Sequence, residues 1–310
     1  MARTGVGLQA GPAPRRAAMT AEAALEAYLS AAPLLPKAAH PSAPRQVASL
    51  AEAAEGFDAV LLDAYGVLNV GARAIPGAPE AVAALREAGR RVMVVSNSAA
   101  YPKATMLQRF RRMGFDFRAE EVTTSREALL EALAERPARN WAAMIGEDRT
   151  EFEGVAPLRD DLAIYDEAEG ILLVGSDGWS EERQRHLECA LRARSRPVLV
   201  GNPDIVAPRE GGLSFEPGHY AHRLAAAGLA EPEFFGKPFA DVFRLALRRL
   251  GEAPGRVLMV GDTLHTDVLG GAAMGFATAL VTGHGTLRAD QLGTAMKRSG
   301  IVPDLVLETP

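Results

Sequence analysis

Ala59-Val60-Leu61-Leu62-Asp63-Ala64-Tyr65-Gly66 is the stretch on which the fold of this chain turns. Four consecutive apolar residues run into a carboxylate, and a glycine follows three positions later. A short run with no alternating polar face predicts a strand buried on both sides, as in a parallel sheet covered by helices. Asp63 then stands just past the strand, and Gly66 marks a place where the chain can turn and a ligand can come close. An isolated Asp of this kind is as readily a turn or capping residue, so the rest of the sequence has to decide.

Working outward, the same alternation recurs. APEAVAALREAG (78–89) reads as an amphipathic helix closed by Gly89, and RVMVVSNS (91–98) as a strand ending at Ser96 and Asn97. ATMLQRFRRMG (104–114) reads as a second helix, and EEVTTS (120–125) opens a third strand. In the last third, DVFRLALRRLG (241–251) predicts a helix, RVLMVGD (256–262) a strand ending at Asp262, and TDVLGGAAMG (266–275) a helix. ATALVTG (277–283) and LVLE (305–308) follow as strands. Between these blocks lie three more strand candidates, in AAMIG (142–146), GILLVGSD (170–177) and PVLVGNPD (197–204), with a clear helix over 180–195. The expected fold is α/β: a doubly wound parallel sheet with a second α/β unit inserted into it. The expected division is 1–45 as an extension with a short helix, 46–135 as core, 136–224 as inserted unit and 225–310 as core again. Within the extension, residues up to about Thr20 read as disordered, 21–35 as a helix and Pro36 to Pro44 as a linker.

Bulk properties narrow the function. The chain has 310 residues, 48% of them hydrophobic and 24% charged, with a net charge of −5. That is the composition of a globular protein of two ordinary units. The negative charge and the lack of a basic stripe argue against nucleic acid as main partner, and no apolar run is long enough for a membrane span. Cys189 is the one cysteine; it cannot form an internal disulfide, which fits a reducing cytoplasm, and its helical setting predicts a packed structural thiol.

Three features carry chemistry. Asp63, Ser96 and Asp262 all end predicted parallel strands, and residues at the carboxyl ends of neighbouring strands line one crevice. Asp262 and Asp267 lie five positions apart across a strand end and a helix start. With Asp63 they suit a hard cation held by few protein oxygens, which is magnesium's habit beside a phosphate, although Asp267 would also serve as a helix N-terminal charge. Lys237, between Gly236 and Pro238, could bring an ammonium to the nucleophile and the phosphate.

The order Asp63, Ser96, Lys237, Asp262/Asp267 resembles the four motifs of the haloacid dehalogenase superfamily. The resemblance implies that Asp63 attacks phosphorus to form an aspartyl-phosphate. It further implies that Ser96, Asn97 and Ser98 receive the phosphoryl group and that Lys237 neutralises charge. Mg²⁺ would be held by Asp63, the backbone carbonyl of Tyr65, Asp262 and Asp267. Asp63 and Ser96 are 33 positions apart (63 to 96), too few for an inserted domain, whereas Ser96 and Lys237 are 141 apart (96 to 237). This spacing is similar to the class IIA, NagD-like branch, whose α/β cap occupies that interval and whose substrates are small phosphorylated molecules. Thr124-Ser125, Val174-Gly175-Ser176-Asp177 and Asn202-Pro203-Asp204 are further echoes. A cap-mediated homodimer is an assembly that the family suggests.

The sequence departs from the family at Tyr65, where most phosphatases have a second Asp that protonates the leaving oxygen. Three explanations stay open: a substrate with a good leaving group, a proton from Tyr65 or from a cap residue such as Asp177, or a protein that binds a phosphorylated ligand with little turnover. Asp63-Ala64-Tyr65-Gly66 also resembles the first motif of 2-haloacid dehalogenases, which need no acid. Those enzymes use no metal and carry their cap directly after that motif, so the Asp262/Asp267 pair and the long second interval favour phosphate. Among lesser candidates, Trp179 and His219 are placed in the cap, His265 inside the metal motif and His284 in a turn, while Asp204 is expected to be a turn residue rather than a ligand.

Overall fold

The computed structural model describes residues 21–137, 139–209, 212–251, 255–285 and 287–310; the disorder expected before Thr20 falls outside them. Ala59–Leu62 is a strand in the interior of a seven-stranded sheet. The sheet runs Arg45–Gln46, Leu305–Leu307, Ala277–Val281, Val257–Gly261, Ala59–Leu62, Arg91–Ser96, Val122–Thr124, and every pairing is parallel. The apolar runs are continuous because both faces are covered. Val60, Leu62, Val92, Val94, Leu258 and Val260 point into one apolar cluster. Their alternates Ala59, Leu61, Met93, Val95, Val257 and Met259 point into another. Burying each such side chain is worth about 1.5–3 kcal/mol, so a one-residue slip that moved polar groups inside would be heavily disfavoured.

A second parallel sheet holds Glu233–Phe234, Val198–Val200, Gly170–Leu173, Trp141–Met144 and Ala156–Pro157 in that order. One of its faces (Ala143, Leu172, Leu199) shares the cluster that covers the main sheet, and the other packs on Trp179, Leu187, Tyr220 and Leu224. All five strands fall between Ser96 and Lys237, and the edge strand Glu233–Phe234 lies beyond residue 224, where the inserted unit was expected to end. An antiparallel hairpin, Val206–Arg209 with Gly212–Phe215, springs from this unit. Sequence periodicity had not marked it, nor a second small hairpin joining Asn69–Val70 to Arg73–Ala74.

The helix expected over 21–35 spans Ala21–Ala31 and ends in a short 3₁₀ turn, Ala32–Leu34. Predicted helix 266–275 begins earlier, as a wide π turn over Leu264–Val268 that continues into Leu269–Ala273. Such turns cluster at functional sites, and this one carries Asp267. Among the described residues no helix is long and apolar enough to cross a membrane.

Candidate functional site

Parallel pairing delivers the site. The strand Ala59–Leu62 is flanked by Val257–Gly261 on one side and Arg91–Ser96 on the other, with Leu62 opposite both Val260 and Val94. Asp63, Asp262 and Ser96 therefore emerge side by side at the same end of the sheet. The backbone N–H of Asp63 donates to Val260 O at 2.9 Å, prolonging the ladder by one bond.

The chain then turns sharply. Gly66 has φ +75°, and a Cβ there would lie 2.6 Å from Asp262 Cβ. Its N–H donates to Asn69 O, and Leu68 and Asn69 both donate to Ala64 O. Val67 and Leu68 are fully buried and anchor the loop. Gly285 approaches Asp262 as closely, with its would-be Cβ 2.5 Å from Asp262 Cβ. Asp262 is thus gripped between two backbones that only glycine allows.

Asp63, Asp262 and Asp267 each offer a carboxylate oxygen within 4.8 Å of the others, and all three are buried. Lys237 Nζ reaches Asp63 Oδ1 at 2.6 Å and Asp267 Oδ1 at 2.7 Å with its side chain 2% exposed. Asp267 Oδ2 also accepts from Thr263 N at 3.2 Å and Thr266 Oγ1 at 3.3 Å, while Asp262 Oδ1 accepts from Thr263 Oγ1 at 2.9 Å. This charge balance shifts the proton affinities of the groups in it. Burial raises Asp63 to about 6, against the pull of Lys237, and Asp267 pushes the same way as burial. Burial opposes the Lys237 ammonium, but Asp267 and Asp63 overcome it and hold its pKa above the usual value. Three carboxylates around one ammonium leave an excess of negative charge in a low-dielectric place. The all-oxygen donor set and that deficit fit a hard divalent cation.

Ser96 and Asn97 are both 6% exposed at the cleft floor. Ser96 Oγ accepts from Ser98 N at 3.3 Å, and Ser98 Oγ lies 3.4 Å from Met106 Sδ. Asn97 behaves differently from the expectation of a simple phosphate ligand. Its Nδ2 donates to Lys237 O at 2.9 Å and to Asp204 Oδ1 at 2.8 Å, and its Oδ1 accepts from Lys237 N at 2.7 Å. Asn97 thereby holds the lysine loop in place, and Gly236 has no room for a Cβ because Asn97 Oδ1 would be 2.5 Å away.

These groups line a cleft of about 590 Å³ between the two units. Tyr65 is half-buried on its wall. Asp177, expected as a cap residue over the site, is exposed and is not among the lining residues. Asp204, expected to be only a turn residue, lines it. Burial raises the Asp204 carboxyl to about 7 even though Asn97 and Lys237 act to lower it. Glu216 and Tyr28 also line the cleft, and nothing in their local sequence marked them. Trp179 is buried in the second unit, where Nε1 donates to Gln184 at 3.1 Å, and His219 packs on Phe215. His265 is buried, stacked on Tyr28 at 4.8 Å. Cys189, expected to be packed, is exposed because it faces away from the helix side that buries Leu187, Ala190 and Leu191.

Comparison with known proteins agrees with this geometry. Residues 60–155 match the family described as haloacid dehalogenase-like hydrolase, and 234–309 match a second family described as HAD-hydrolase-like. Human glycerol-3-phosphate phosphatase is 30% identical over 308 residues, covering 86% of this chain and 92% of that protein. The rat phospholysine phosphohistidine inorganic pyrophosphate phosphatase is 29% identical, covering 84% and 95%. Among solved structures, p-nitrophenyl phosphatase from Archaeoglobus fulgidus superposes with a TM-score of 0.69 at 27% identity, covering 82% of this chain and 96% of that one. A glycerol phosphate phosphatase from Mycobacterium tuberculosis in complex with magnesium gives 0.61 at 25% identity, covering 74% and 68%.

Proposed function

The chain belongs to the haloacid dehalogenase-like hydrolases, and on that premise we propose that it is a magnesium-dependent phosphatase of small phosphorylated metabolites. The carrying observation is the buried group of Asp63, Asp262 and Asp267 with Lys237 bridging two of them at the end of the parallel sheet. The second α/β unit acts as cap, since Asn202, Asp204 and Glu216 come from it into the cleft.

In this reading Asp63 attacks phosphorus. An Asp63 oxygen forms the new O–P bond while the bond to the leaving oxygen breaks, giving an aspartyl-phosphate that water then hydrolyses at phosphorus. Lys237 holds the carboxylate in line and offsets charge on the transferring group. Ser96 Oγ, which already accepts from Ser98 N, has its own proton to donate to a phosphoryl oxygen. Asn97 acts mainly by fixing Lys237. Asp63, the carbonyl of Tyr65, Asp262 and Asp267 would hold Mg²⁺, which when bound supplies Lewis-acid charge neutralisation.

Position 65 offers no carboxyl to protonate the leaving group, so substrates whose leaving group departs as a stable anion suit the site best. General acid assistance is commonly worth about 10²–10⁴-fold, and unactivated alkyl esters bear that loss. Carbon–halogen cleavage, the rival chemistry, would have no use for the Asp262 and Asp267 carboxylates.

Hydrolysis of p-nitrophenyl phosphate with and without magnesium tests the proposal. Turnover should require the metal, stop with EDTA, and fall by at least about 10³-fold in Asp63→Asn, the scale of losing a covalent nucleophile. Turnover that survives Asp63→Asn, or tight phosphate binding with no turnover at all, would sink it.

A further inference from the structure

The helix Ala21–Ala31 lies outside both stretches that match the family, yet it reaches the cleft. Two of its faces are used. Ala24, Tyr28 and Ala31 recur at spacings of four and three, one helical stripe, and they bury against Ile205 and Val206 with Leu213 and Phe215 of the hairpin packed alongside. Leu25, on the adjoining face, packs on the core cluster that contains Leu264, Val268 and Leu292. The outer end is tied down by Arg298, which ion-pairs with Glu22 and Glu26. One short helix therefore touches the second unit and the core at once.

Tyr28 is the point where that bridge meets the site. Its ring stacks on His265 at 4.8 Å and 14°, within the turn that carries Asp267. Its hydroxyl accepts from Ile205 N at 3.4 Å, next to Asp204. It is 7% exposed, and it lines the cleft beside Asp262 and Val206. Burial, with the neighbouring Asp204 charge, keeps the phenol protonated.

We propose that the helix Ala21–Ala31 is a strap that fixes the hairpin-bearing unit over the cleft, and that Tyr28 is a specificity-determining residue whose ring limits the size of the organic group carried by the phosphate. The strap spans an interface that, in an inserted-unit fold, would otherwise rest on the two linker crossings and direct contact between units. A rigid aromatic wall discriminates by size because the ring cannot fold away while it is stacked on His265 and bonded to Ile205. The size limit rests on the phosphate-binding reading above; the strap does not.

The experiment uses the full chain and reads binding and backbone protection, so it is independent of turnover. Dissociation constants for 1-naphthyl phosphate and inorganic phosphate are measured in an Asp63→Asn background, which removes hydrolysis. Hydrogen exchange is followed at Ile205 and Val206, with the interior strand Ala59–Leu62 as the internal check of folding. Tyr28→Ala should tighten naphthyl phosphate relative to phosphate roughly tenfold, a change on the scale of pocket size discrimination. It should also speed exchange at Ile205. Tyr28→Phe, which keeps the ring, should leave the binding ratio alone and speed exchange at Ile205 only. Ala24→Asp, which puts a charge into the helix–hairpin contact, should speed exchange at both positions and leave the interior strand protected. An unchanged ratio in Tyr28→Ala, or failure of either anion to bind, overturns the size limit, and unchanged exchange in Ala24→Asp overturns the strap. Binding with the expected ratio but no hydrolysis by the unmodified protein would overturn the phosphatase reading and leave this one standing.

Discussion

Lys237→Met is the most informative single perturbation. The lysine is buried, and its Nζ lies 2.6 Å from Asp63 Oδ1 and 2.7 Å from Asp267 Oδ1. Methionine keeps much of the hydrocarbon stem, so the change removes a charge and little packing. Two carboxylates then face one another with no ammonium between them. Removing one partner of a buried ion pair costs about 3–5 kcal/mol, because the remaining charge is uncompensated. For a protein of this size that corresponds to a fall in melting temperature of roughly 5–8 °C. The loss should depend on pH in a definite sense. Burial already raises Asp63 to about 6 from its ordinary 3.8 with Lys237 pulling the other way, so in the variant the folded-state value climbs further. A raised folded value means that the folded protein holds a proton which the unfolded chain has released. The penalty is therefore absent below about 3.8 and grows as pH rises through 6 and beyond. Thermal melts in EDTA at pH 5 and pH 8 measure this: the deficit should be large at pH 8 and much smaller at pH 5. Millimolar magnesium should narrow the gap at pH 8 if the carboxylates bind it. Equal melting of the two proteins at pH 8, or a deficit that widens on acidification, would refute the reasoning.

Other outcomes follow from the same geometry. Tyr65→Asp should raise kcat on an alkyl phosphate by about 10²-fold or more while changing p-nitrophenyl phosphate little, since only the poor leaving group needs protonation; steady-state kinetics on both esters decide it. Gly66→Ala should weaken magnesium binding at least about tenfold, as followed by calorimetry, because the new methyl drives into Asp262 at a φ of +75°. Gly77→Ala is its control: φ is +84° with nothing within 4 Å of the new atom, so it should cost about 1–2 kcal/mol of stability and spare the metal site. His222 is held to about 4 by burial and by His219, and both its ring nitrogens lie buried with no hydrogen-bond partner among the described residues. A folded value below the ordinary 6.5 makes stability drop as pH falls below about 6.5, with the loss complete below about 4. His222→Phe, which can keep the stack on Phe234, should flatten part of that acid-side decline in melting temperature.

Legibility from sequence followed the range of the interactions. Asp63, Ser96 and Asp262 could be placed because each closes an apolar run, and parallel pairing of such runs brings their ends together whatever the loops do. Cys189 was misjudged since a helical pattern says which residues share a face but a borderline position needs the neighbour's surface to decide. The tie from Asn97 to Lys237 O spans 140 residues and that to Asp204 spans 107; bonds of that reach leave no periodic trace in either local segment.

By itself, then, the sequence determined the parallel sheet and the order of the chemical groups along it. These are consequences of local hydrophobic pattern, and burial of both sheet faces enforces them. Tertiary structure alone decided which residues of the second unit enter the cleft. Asp204 does and Asp177 does not, because a loop's direction depends on how the two units pack. It also decided that a helix far from the motifs supplies Tyr28, through apolar contacts between segments about 180 residues apart, with the hydroxyl meeting Ile205 N across 177 positions. Chain pattern is short-ranged and the packing of separate units is not, so the clustered carboxylates were readable and the walls around them were not.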